Sequence, residues 1–126
     1  MAKILVAEDE KDIRELIAFT LRYAGFDVEV AVNGIEALEK IGQEKPDLII
    51  LDVRMPRMTG YEVCRRLKED PQTRDIPVVF LSAKGQDMEV QEGYASGAEE
   101  YIIKPFVPDD LVAQVQRILE QAGHGG

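Results

Sequence analysis

Five short apolar runs, separated by amphipathic stretches, constrain this chain more than any other feature of its sequence. The runs are Ile4-Leu5-Val6-Ala7, Val28-Glu29-Val30-Ala31-Val32, Leu48-Ile49-Ile50-Leu51, Val78-Val79-Phe80-Leu81 and Tyr101-Ile102-Ile103. Runs this short and this apolar predict strands buried on both faces, as in a parallel sheet; the second alternates in part. Between the first two, Ile13, Leu16, Ile17, Thr20, Leu21 and Ala24 recur at spacings of three and four, and Gly25 follows as a stop. Asn33, three residues before Glu36, is placed to cap a second helix reaching Gly42. A third is expected from Tyr61 to Asp70, ahead of Pro71, and a fourth from Asp87 to Ser96, closed by Gly97. The last runs from Pro108, suited to a first turn, to Gln121, with Leu111, Val115, Ile118 and Leu119 apolar. The order is βαβαβαβαβα. Helical crossovers make the strands parallel and the connections right-handed. The fold expected is α/β, doubly wound and flavodoxin-like, a five-stranded parallel sheet with helices on both faces.

A chain of 126 residues makes one domain. Its composition, 45% hydrophobic and 31% charged, is that of a soluble globular protein. A net charge of -9 counts against direct binding to nucleic acid or to an anionic membrane surface. No segment approaches the roughly 18 apolar residues of a membrane span. The chain passes from Ile4–Ala7 straight into Glu8-Asp9-Glu10, with no signal-peptide apolar stretch, so a reduced cytoplasmic setting is expected. The single cysteine, Cys64, excludes an internal disulfide framework. The single histidine, His124, excludes His-pair zinc motifs and leaves little room for a Ser-His triad.

In doubly wound folds, reactive groups collect beyond the carboxyl ends of the strands. Glu8, Asp9 and Glu10 follow the first strand, Asp52 the third, Ser82 and Ala83 the fourth, and Lys104 and Pro105 the fifth. In a flavodoxin-like order these strands are neighbours, which places Glu8, Asp9, Asp52, Ser82 and Lys104 around one pocket. Carboxylates crowded there repel, so either one stays protonated or a cation sits among them. Oxygen ligands without His or Cys suit Mg²⁺, with Asp9 and Asp52 as carboxylate donors. With Lys104 and the Ser82 hydroxyl added, the pocket is built for a phosphoryl group, and Asp52 can act as nucleophile. Taken singly, an aspartate after a strand is more often a turn former, and a lysine before proline is usually solvated. The conjunction at four strand ends outweighs those readings.

These residues carry a family resemblance over essentially the whole chain. The motifs are Ile4-Leu5-Val6-Ala7-Glu8-Asp9-Glu10, Asp47 through Leu51-Asp52 to Met55-Pro56, Met58-Thr59-Gly60-Tyr61-Glu62, Leu81-Ser82-Ala83, and Gly97-Ala98 through Lys104-Pro105-Phe106. Together they resemble the receiver domain of two-component response regulators. The resemblance implies a receiver over residues 1–122 and a flexible tail over 123–126. It makes Asp52 the phosphoacceptor. It gives Mg²⁺ the ligands Asp9, Asp52 and the main-chain carbonyl of Arg54, with Glu8 contacting the ion through water. Ser82, Ala83 and Lys104 would hold the phosphoryl oxygens. Lys104-Pro105 would be a cis peptide, and Ser82 and Tyr101 a rotameric switch. The implied partners are a histidine kinase or histidine phosphotransfer protein and an output protein or C-terminal effector domain. Glu8 stands where the family more often has aspartate. Arg54 and Lys84 occupy variable positions, where they either rim the site or are simply solvated.

Gly60 is expected to serve backbone shape, Cys64 packing, and His124 nothing in particular. Met88 and Tyr94 belong either to the core or to a partner face. Two rival functions carry specific objections. An aspartate-dependent phosphohydrolase wants a second Asp two residues after the nucleophile, where Arg54 stands. A flavodoxin-like cofactor binder wants a phosphate loop after the first strand, where Glu8-Asp9-Glu10 repels phosphate. Met1-Ala2-Lys3 reads as a natural start, whereas the end after Ala122 suits either a stop or the opening of a linker. Gln114 and Gln121 stand where winged-helix DNA-binding regulators often carry arginines, which favours another output.

Overall fold

The computed structural model describes residues 2–83 and 100–123. The five runs form β1 (Lys3–Ala7), β2 (Asp27–Ala31), β3 (Leu48–Asp52), β4 (Val78–Ala83) and β5 (Glu100–Lys104), all parallel, in the order β2-β1-β3-β4-β5. Strands β3, β4 and β5 continue past their apolar residues. Asp52 pairs with Leu81, Ser82 with Ile103 and Ala83 with Lys104, so polar groups at the rim are still held by the ladder. The helices are α1 (Lys11–Tyr23), α2 (Gly34–Gln43), α3 (Gly60–Glu69) and α4 (Pro108–Gln121). The helix expected over 87–96 lies outside the described residues, as do Lys84, Met88, Tyr94 and His124.

Alternation along the strands sends neighbouring side chains to opposite faces. Ile4, Val6, Ile50 and Leu81 pack with Ile17 and Leu21 of α1 and Leu111, Val115 and Ile118 of α4. Leu5, Ile49, Leu51 and Phe80 pack with Ala37 and Ile41 of α2 and Val63, Cys64 and Leu67 of α3. Burial on both faces holds throughout β3, whereas the edge strands β2 and β5 are only part-covered. The apolar stripe of α1 is rotated from its expected setting. Ile17, Ala18 and Leu21 point inward, while Leu16 is 47% exposed. The small Ala18 lets the helix turn toward β2, whose Val28 and Val30 join the same cluster.

Local chemistry sets the boundaries. Gly25, at φ +101°, turns the chain after α1 in a conformation that favours glycine. The Asn33 side chain accepts from Glu36 N–H at 2.8 Å, and Thr59 and Glu62 form a reciprocal capping box on α3. At the β2 edge, Arg22 donates to the Val28 carbonyl at 2.9 Å and Lys40 to the Val30 carbonyl at 2.6 Å. Cations on these carbonyls blunt the edge against pairing with another chain.

Candidate functional site

The site forms where β1, β3 and β5 run out of apolar residues. The Glu8 N–H still bonds the Ala31 carbonyl at 3.1 Å, so the backbone stays strand-like one residue beyond β1. Arg14 of α1 donates to the Glu8 and Asp9 carbonyls at 3.0 and 3.3 Å. That clamp fixes the loop by its backbone and leaves its carboxylates to the pocket. Glu8 is 0% exposed, and its Oε2 accepts from the Glu10 N–H at 3.1 Å.

Asp52 closes β3 and is 6% exposed. Its Oδ1 accepts a long bond from the Arg54 N–H at 3.4 Å. The following loop folds back on it. The Val53 N–H bonds Leu81 O at 3.1 Å and the Gly60 N–H bonds Val53 O at 3.0 Å. A Cβ on Gly60 would overlap the Asp52 carbonyl oxygen and lie 3.1 Å from its carbon. Glycine is required there, and it seats the start of α3 directly on the Asp52 backbone. Between them, Arg57 adopts φ +71°, and Met58 N–H reaches Pro56 O at 2.8 Å across it. That is an uncommon conformation for a non-glycine residue.

Lys104 ends β5, and its peptide bond to Pro105 is cis. Its Nζ lies 3.0 Å from Glu8 Oε1 and 3.3 Å from Asp52 Oδ1. Oxygens of Glu8, Asp9 and Asp52 all come within 4.8 Å of one another. Asp9 is exposed and the other two are buried. Among the described residues, the Lys104 ammonium thus meets two buried carboxyl groups, with the exposed Asp9 carboxyl beside them. Burial, then hydrogen bonding and repulsion from Glu8, push the Asp52 carboxyl up to about 7, against the opposing pull of Lys104. Burial alone would lower the Lys104 ammonium, but Glu8 and Asp52 together hold it above its usual range.

Glu8, Asp9, Asp52 and Lys104 are thus brought together. Ser82 is buried at the end of β4, one step beyond the Leu81 that pairs with Asp52. Ala83 lies opposite Lys104 on the ladder. Arg54 is exposed on the loop after β3. Tyr101 is half-buried opposite Phe80, two residues before Ser82, so Tyr101 and Ser82 share one face of the sheet as diagonal neighbours. Sequence reasoning missed two features. One is the direct Glu8–Lys104 ion pair. The other is Tyr61, whose hydroxyl lies 3.4 Å from that of Tyr101. The only signal for Tyr61 was an aromatic opening a helix directly after Gly60.

Comparison with known proteins agrees with this geometry. The family model of the response regulator receiver domain matches residues 4–116. The chain is 44% identical over 122 residues to the phosphate regulon transcriptional regulatory protein PhoB of Pseudomonas aeruginosa, covering 97% of this chain and 53% of that protein. It is 40% identical over 121 residues to the DNA-binding dual master transcriptional regulator RpaA of Synechocystis, covering 96% and 50%. The chemotaxis protein CheY4 of Vibrio cholerae superposes with a TM-score of 0.89 at 39% identity, covering 94% of this chain and 98% of that one. The fold and its acidic rim thus define a doubly wound signalling domain, and the chain belongs to the receiver domain family of two-component response regulators. It is a phosphorylation-controlled switch. The chain spans about half the length of the curated relatives it matches.

Proposed function

We propose that Asp52 accepts the phosphoryl group. The observation that carries this reading is the placement of a buried carboxylate at a strand end, 3.3 Å from the Lys104 ammonium and beside Glu8 and Asp9. A carboxylate oxygen of Asp52 attacks phosphorus as the donor's bond to phosphorus breaks. The donor is a phosphohistidine of a partner kinase or phosphotransfer protein, and neutral imidazole leaves after gaining a proton. Lys104 then offsets charge on the equatorial oxygens, and the Ser82 hydroxyl and the Ala83 main chain complete their binding.

The donor set fits a hard divalent cation. It is all oxygen, it carries more negative charge than Lys104 balances, and Asp9 opens it to solvent. Asp9, Asp52 and the Arg54 carbonyl would hold Mg²⁺, which when bound neutralises carboxylate charge and orients phosphoryl oxygens. Glu8 is engaged by Lys104 and the Glu10 N–H, in keeping with an indirect role through water. The chain acts as a phosphoacceptor rather than a turnover enzyme, over residues 1–122, in the cytoplasm. Its output passes to a partner protein or an attached effector domain. No helix among the described residues is long and apolar enough to cross a membrane.

The test is labelling by acetyl phosphate with Mg²⁺. The intact protein should gain one phosphoryl mass in an alkali-labile adduct, and Asp52→Asn should abolish it. Full labelling of Asp52→Asn would overturn the assignment.

A further inference from the structure

A chain of three aromatic rings leads away from the site through a residue that the reading above does not use. Tyr61 is the second residue of α3, directly after Gly60, the glycine seated on the Asp52 backbone. Its buried ring meets Phe80 edge-on, with centroids 5.1 Å apart and planes at 75°. Phe80 meets Tyr101 at 5.4 Å and 48°. The circuit closes where the Tyr101 hydroxyl approaches the Tyr61 hydroxyl at 3.4 Å. That is longer than the roughly 2.7–2.8 Å of a strong hydroxyl pair. Phe80 also shares its sheet face with Ser82, two residues along β4.

We infer that Tyr61 is a positioning residue, which ties the orientation of Tyr101 to the backbone of the acceptor residue. The inference rests on the reading of Asp52 as acceptor and Tyr101 as switch, and it adds a second route between them. The first route runs along β4 through the Ser82 hydroxyl. The second runs through the backbone. Gly60 has no side chain to absorb a shift of the Asp52 carbonyl or of the loop over 53–59, so the start of α3 moves with it. Tyr61 carries that movement to Tyr101 by way of the Phe80 ring between them and through its hydroxyl. Close packing passes such a displacement on, because an interior at crystal-like density has no slack to take it up. The Tyr61 ring holds Phe80, Phe80 packs on Tyr101, and the hydroxyl contact selects among the orientations that this packing allows.

The test is fluorine NMR on protein labelled with 3-fluorotyrosine, with the Tyr101 signal assigned by its loss in Tyr101→Phe. Acetyl phosphate labelling is measured in parallel. Saturation with beryllofluoride and Mg²⁺ should shift the Tyr101 signal of the parent. Tyr61→Phe keeps the ring and should label at Asp52 within twofold of the parent rate, yet show less than half of the parent Tyr101 shift. Tyr61→Leu removes the ring and should show the smallest shift of the three. A residue serving only the packing of α3 would lower the melting temperature in Tyr61→Leu and leave the Tyr101 shift of Tyr61→Phe at full size. That full-size shift, alongside normal labelling, overturns the inference. A parent that takes no label removes the reading beneath it, and the inference falls with it.

Discussion

At opposite ends of the sheet, two lysines each lie between two carboxylates, and the contrast between them locates the function. Lys3 opens β1, with Glu29 at 3.5 Å and Glu44 at 3.2 Å. Lys104 closes β5, with Glu8 at 3.0 Å and Asp52 at 3.3 Å. The distances are alike, but the surroundings differ. Glu29 and Glu44 have side chains 36% and 71% exposed, so water screens them and Lys3 serves as an ordinary tie. It also joins β1 to the turn before β3, because its N–H bonds Asp47 Oδ2 at 2.7 Å. Glu8 and Asp52 have side chains 0% and 9% exposed, and Asp9 adds a third carboxylate. One arrangement is therefore screened by water, while in the other both paired carboxylates lie out of it. The difference lies in the burial of the carboxylates, since the ammonium-to-carboxylate distances are alike.

The contrast can be broken most forcefully from the lysine side. Lys104→Met leaves buried Glu8 and Asp52 without their cation, and removing one partner of a buried pair costs about 3 kcal/mol or more. Urea denaturation at pH 8 without divalent ions should show that loss. Part of it should be recovered at pH 5, where Asp52 takes up a proton.

Removing the excess charge should act in the opposite direction. Asp52→Asn is expected to raise stability at pH 8 by about 1–3 kcal/mol, a few degrees in melting temperature for each kcal/mol. The pH profile follows from the same cause. The folded Asp52 carboxyl stands at about 7 against an ordinary 3.8, so between those values the folded chain holds more proton than the unfolded one. This contribution is fully present below about pH 4 and is lost as the pH rises through about 7. Thermal melts of parent and Asp52→Asn from pH 4 to 8, without Mg²⁺, should therefore diverge as the pH rises.

A smaller effect is expected from adding Mg²⁺. Mg²⁺ at ten times its dissociation constant should stabilise the parent by about 1.4 kcal/mol at pH 8. The gain should shrink in Asp9→Ala, as read by a titration of melting temperature against Mg²⁺. The smallest effect belongs to the other lysine. Lys3→Met should cost no more than about 1 kcal/mol and leave the Mg²⁺ response intact. A Lys3→Met loss as large as that of Lys104→Met would erase the contrast.

Most of the site was readable because its residues follow strands that announce themselves. Asp52 and Lys104 each come directly after an apolar run, and the parallel order required by helical crossovers brings those ends together. What could not be read depends on reach through space. Whether Lys104 would span to Glu8, a residue 96 positions away, depends on side-chain length across the pocket. The carbonyls claimed by Arg22 and Lys40 at the β2 edge follow from the same kind of reach. The stripe of α1 was misjudged by part of a turn, because Thr20 and Leu16 keep helical spacing as well as Ala18 does. Only packing against β2 selects the alanine side.

The most direct test of the account is to find the phosphorylated residue. The parent is treated with acetyl phosphate and Mg²⁺, and the acyl phosphate is reduced with borohydride, which leaves homoserine in place of the modified aspartate. Peptide sequencing by mass spectrometry then reads the position. The account predicts conversion at Asp52 alone, within Leu48 to Arg54. Conversion at Asp9, or an unconverted Asp52 in fully labelled protein, would contradict it.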